Sequence, residues 1–130
     1  MPAVIDHPIL GTLTYDASVD AWRSSYGLGT FGFLIAGANV PDPELTTRAA
    51  EVKQNAAGFL KVVKQFLMDE AVGQPRWADE IRGLTVQEVC LFWPARPSDG
   101  MLYFSTANDS GRIWHADYIN RAPIGLTFDS

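Results

Sequence analysis

The sequence predicts an α+β fold: a mostly antiparallel sheet of about five to six strands, in β-β-β-α-β-β-β order, with one long amphipathic helix packed on one face. Three observations carry that expectation. Alternating apolar and polar residues fill the first third of the chain, a three-to-four-residue apolar period fills the middle, and alternation punctuated by turn residues returns in the last third. Segregated helix and strands bury their apolar faces against each other.

The first strand is expected at Gly11-Thr-Leu-Thr-Tyr15, with Leu13 and Tyr15 on one side. After the polar break Asp16-Ala-Ser-Val-Asp20, Ala21-Trp-Arg-Ser-Ser-Tyr26 alternates again. A glycine-rich stretch leads into Thr30-Phe-Gly-Phe-Leu-Ile-Ala36, where Phe31, Phe33 and Ile35 align. The helix follows. Asp42 is placed to cap it, Pro43 occupies the tolerated first position, and Glu44 meets the positive end of the dipole. Leu45, Ala49, Val52, Ala56, Phe59, Leu60, Val63, Phe66 and Leu67 then form one stripe, and Gly73 with Pro75 stops it. Trp77-Ala-Asp-Glu-Ile81 adds a short turn of helix.

Val86-Gln-Glu-Val-Cys-Leu-Phe-Trp93 ends apolar on both faces, as a central strand does. Pro97-Ser-Asp-Gly100 is a turn, with Asp-Gly the hairpin signal. Met101-Leu-Tyr-Phe-Ser105 returns as a strand, Asn108-Asp-Ser-Gly111 turns again, and Arg112 to Ile119 forms the last long strand. Short turns between consecutive strands give a meander. Pro123 and Gly125 leave room in the tail for a short edge piece.

At 130 residues, without repeats or linkers, positions 1–130 form a single domain. Cys90 is the only cysteine, so no internal disulfide exists and a reducing, cytoplasmic setting is expected. No run approaches the ~18–20 apolar residues that span a bilayer. Net charge is −5, and all three lysines (Lys53, Lys61, Lys64) fall in the charge-balanced helical segment. An acidic shell disfavours phosphate backbones and excludes nucleic acid, while suiting a basic protein partner.

Chemistry-bearing motifs are few. Gly27-Leu-Gly29-Thr-Phe-Gly32 has the spacing of a dinucleotide-binding fingerprint, but that motif needs a helix opening at its third glycine. Here Phe-Leu-Ile-Ala follows, so the stretch is read as a connection between strands. His115 and Asp117 share one side of the last strand, with Arg112 and Asp109 nearby, but no nucleophile or metal set accompanies them. Cys90, inside the most apolar strand, is expected to behave as a small apolar residue with a raised pKa. His7 and His115 are the only histidines and lack metal-ligand spacing. The neighbouring pairs Asp69-Glu70 and Asp79-Glu80 are expected to be solvated. No catalytic, cofactor-binding or metal-binding residue is assigned. Trp114 and Tyr118 share one face of the last strand while Ile113, His115, Asp117 and Ile119 share the other; Trp114, Tyr118, His115 and Asp117 are the candidate interaction surface.

His7-Pro-Ile-Leu-Gly-Thr-Leu-Thr-Tyr15 with Trp22, Leu84-Thr-Val-Gln-Glu-Val-Cys-Leu-Phe-Trp-Pro94, Met101-Leu-Tyr-Phe104 and Trp114-His115 together resemble bacterial domains of unknown function with a strand-helix-strand plan. Such domains occur near toxin–immunity loci. The resemblance covers most of the chain and implies no catalytic residues. The expectation is a non-catalytic, immunity-like protein-binding domain whose partner is another protein, or a second copy of itself. The alternatives are a small enzyme or ligand-binding protein built around His115 and Asp117, and a homodimeric structural module.

Overall fold

In the computed structural model, residues 3–24, 31–107 and 110–129 are described. They form eight strands in one sheet: β1 (Val4–His7), β2 (Gly11–Asp16), β3 (Ala21–Ser24), β4 (Gly32–Ala36), β5 (Thr85–Leu91), β6 (Gly100–Ser105), β7 (Ile113–Ile119) and β8 (Ala122–Asp129). Spatial order equals sequence order, β1 to β8. Six pairings are antiparallel, and β4 against β5 is parallel. Between those two strands lie α1 (Pro43–Gln54), α2 (Ala56–Gly73), a 3₁₀ turn (Pro75–Trp77) and α3 (Ala78–Arg82). A parallel pair requires a crossover, and the helices supply it.

The expected plan is thereby corrected in two respects. The sheet, mostly antiparallel as expected, has eight strands rather than five to six, and the helical segment is three short helices rather than one long one. β1 is a four-residue strand whose polar Asp6 and His7 obscure its alternation. His7 closes the β1–β2 turn by accepting, at Nδ1, the amides of Ile9 (3.0 Å) and Leu10 (3.1 Å). β8 is eight residues long despite Pro123 and Gly125. Both are tolerated because β8 is an edge strand and its pairing with β7 shifts register where Gly125 takes φ 68°.

The helical break falls at Asn55, with φ −110° and ψ 37°. Hydrogen bonds still bridge it, from the Asn55 amide to Glu51 (3.1 Å) and from the Phe59 amide to Asn55 (2.9 Å). The apolar stripe therefore continues: Leu45 and Ala49 in α1, then Phe59, Val63, Leu67 and Ala71 in α2, are buried against the sheet. Leu60 departs from it at 39% exposed. Asp42 caps α1, its carboxylate accepting the Leu45 amide at 3.0 Å. Asp42→Ala is expected to cost about 1 kcal/mol in equilibrium denaturation, whereas Asp42→Asn costs little.

The face of the sheet under the helices contributes Leu13, Trp22, Phe33, Ile35, Val89, Leu91, Leu102, Phe104 and Trp114 to the core. On the other face, Ala21, Leu34 and Cys90 form a small second cluster beneath Phe92, Met101 and Tyr103. Gly100 is glycine for the sheet rather than the turn. It already belongs to β6, and a Cβ there would run into the Cys90 carbonyl. The turn is held instead by Asp99, which accepts the Asn120 amide at 2.9 Å. The glycine-rich 27–32 connection and the Asn108–Gly111 turn lie largely outside the described residues.

Candidate interaction face

Alternation along β7 sends its residues to two different places. Trp114 and Tyr118 point under the helices and are 0% and 6% exposed. Trp114 packs edge-on to Trp77 and against Phe128, with centroids 6.4 and 4.7 Å away, and donates its indole N–H to Glu80 of α3. Tyr118 meets Phe59 of α2 edge-to-face at 5.8 Å. Both belong to the core, so neither offers a surface to a partner. The physical reason is simple: large rings on the helix side are the ones that fill the layer between helix and sheet.

Glu80 is the second correction. Its neighbour Asp79 is fully exposed, but the Glu80 side chain is only 11% exposed and joins a network. Arg112, preceding β7, donates to it from Nε at 2.7 Å and Nη2 at 2.6 Å. The same guanidinium lies 4.6 Å from the Trp77 ring centre. These donors, Arg112 first, hold the Glu80 carboxyl at a pKa of about 2. Arg112 is thus committed to α3 and does not join His115.

His115 and Asp117 face away from the helices. The register across β6–β8 sets Tyr103 opposite His115 and His115 opposite Thr127, while Asp117 lies between Met101 and Ile124. The Nε2 of His115 is 3.1 Å from the Asp129 carboxylate, and its ring lies 5.7 Å from that of Tyr103. Asp117, by contrast, makes no side-chain hydrogen bond among the described residues. The histidine's acidic partner is therefore on β8, not two residues along its own strand.

Further across the same face, Glu88 of β5 pairs with Arg23 of β3, which also reaches Asp16 at 3.3 Å. The Ser18 hydroxyl and amide, then Arg23, lower the Asp16 pKa. Cys90 lies between these charges and Met101, 1% exposed, and burial followed by the nearby Glu88 carboxylate pushes its thiol far up. Burial likewise raises Tyr103. A thiol and a phenol held protonated in this way are poor nucleophiles. Among the described residues no three His, Cys, Asp or Glu side chains gather as a metal ligand set.

What sequence reasoning missed here is the share of β8 in the apolar part of the face, Ile124. Ile113, Ile119 and Ile124 are 56%, 37% and 49% exposed around Asp117 and His115. Together with Tyr103 and Met101 they form a mixed patch bordered by Asp117 and Asp129. Its signal, the alternation of isoleucines with His115 and Asp117, was present, but Ile124 joins only through β8. No helix of the described chain is long and apolar enough to cross a membrane. Neither a protein family, nor a curated protein, nor a solved structure matches this chain.

Proposed function

We propose that this chain is a non-catalytic, immunity-like protein-binding domain that covers a basic surface of a partner protein with the helix-free face of its sheet. It is proposed to act in the cytoplasm, where a lone buried thiol such as Cys90 stays reduced. The observation that supports the reading best is the composition of that face. Asp117 and Asp129 flank the exposed isoleucines of β7 and β8, and Asp6, Asp16 and Glu88, against Arg23, lie farther across the same face. Apolar anchors within a charged rim make a recognition surface, and one sign of charge steers the opposite sign toward it.

The test is a titration of the purified chain with proteins encoded by adjacent genes. The expected result is binding that weakens as salt rises, and that drops about tenfold or more in an Asp117→Lys/Asp129→Lys variant with unchanged circular dichroism. An Ile124→Asp variant is expected to weaken it as well. Absence of binding by every such protein overturns the proposal, as does an affinity indifferent to these substitutions. Self-association through the same face, seen by sedimentation of the chain alone and lost in the Ile124→Asp variant, would replace it with the homodimer reading.

A further inference from the structure

We propose that the groove between α2 and the start of β5 is a separate binding site for a single-chain amphipathic anion, with an apolar tail and a carboxylate head. The groove has a volume of about 590 Å³, within the range of about 300–1,000 Å³ typical of small-molecule sites. It lies on the helix side of the sheet, away from His115 and Asp117, so it stands independently of the protein-binding reading.

Helical spacing builds one wall. Val63 and Leu67 point into the core, while Leu60, Lys64 and Met68 succeed one another at four-residue steps along the lip. Leu60 and Met68, on either side of the lysine, are 39% and 43% exposed. Leu84 and Val86, both buried, lie at the start of β5 across from them. Thr85 and Ser105 adjoin them at the end of the groove.

Charge decides the kind of ligand. The chain carries 15 acidic residues against 10 basic ones, yet no carboxylate is among the described residues lining this groove. Its charged side chains are Lys64 and Arg82. Lys64 forms no ion pair among the described residues, and Arg82 shares its charge with Asp79, a fully exposed residue that does not line the groove. A basic rim around an apolar trough, on an otherwise acidic protein, selects a molecule with an anionic head and a hydrocarbon body. Neither half of such a ligand suffices. Two solvated cations hold a bare anion poorly, and a neutral hydrocarbon leaves them unused.

The experiment is calorimetric titration of the full chain with octanoate, decanoate and dodecanoate below their micellar concentrations, with decanol and decyltrimethylammonium as controls. Each added methylene is expected to tighten binding about fourfold while the trough has room for it. Decanoate is expected to outbind decyltrimethylammonium by about tenfold or more, and Lys64→Glu/Arg82→Glu to remove that preference without altering the circular dichroism. Leu60→Asp is expected to weaken all three carboxylates. No detectable decanoate binding, equal affinity for the three head groups, or a charge-reversed variant that binds like the parent would each overturn the assignment. The Asp117→Lys/Asp129→Lys variant is expected to bind decanoate normally, which separates failure here from failure of the protein-binding proposal.

Discussion

Phe59→Ala is expected to destabilise the protein by about 3–5 kcal/mol in equilibrium denaturation, the cost of a cavity where a core ring has been removed. Phe59 is 7% exposed, and its ring sits between Phe31, 5.1 Å away, and Tyr118, 5.8 Å away. It therefore ties α2 to β7 and to the residue leading into β4. Phe66 occupies the same stripe but is only partly buried, so Phe66→Ala is expected to cost visibly less. Sequence spacing alone treats the two positions as equivalent. A loss below about 1 kcal/mol for Phe59→Ala would mean that the helices do not rest on the sheet as described.

Glu80→Gln is expected to cost about 2–3 kcal/mol near neutral pH, because the Arg112 guanidinium would lose its counter-charge and one of its two acceptor oxygens. Glu80 and Arg112 side chains are 11% and 27% exposed, which places the cost below that of a fully buried pair. The pH dependence gives a sharper reading. The folded pKa of about 2 lies below the ordinary 4.5, so the carboxylate's contribution is complete above 4.5 and is lost as pH falls from there toward 2. Denaturation of the parent and the variant across that interval should therefore converge. A stability gap that stays constant down to pH 2 would show that Glu80 acts only through shape.

Six of the eight strands were legible, because alternation survives wherever one face is buried. β1 was not, and β8 was legible only as a short edge piece, for different reasons. Four residues ending in Asp6-His7 carry too little pattern, and Pro123 with Gly125 imitates a loop unless an edge position is known in advance. The break at Asn55 was invisible to periodicity, since the stripe runs through it undisturbed. The grouping of His115 with Asp117 on one side of β7 was legible, and so was the protonated, buried Cys90. That Trp114 and Tyr118 point under the helices was not, because alternation yields two faces without saying which is covered. Glu80 shows the converse error. Adjacent helical residues point about 100° apart, so Asp79 can be wholly solvated while Glu80 anchors β7.

The single parallel pairing, β4 with β5, has a kinetic meaning. Every other neighbouring pair is joined through a connection of two to eight residues, so residues 4–36 and 85–129 can each pair up locally. Joining the two halves means closing residues 37–84 at once, which costs roughly 2 kcal/mol more in chain entropy than a four-residue turn. The molecule is in this sense two hairpin stacks sharing one seam, and α1, α2 and α3 are the clasp laid across it.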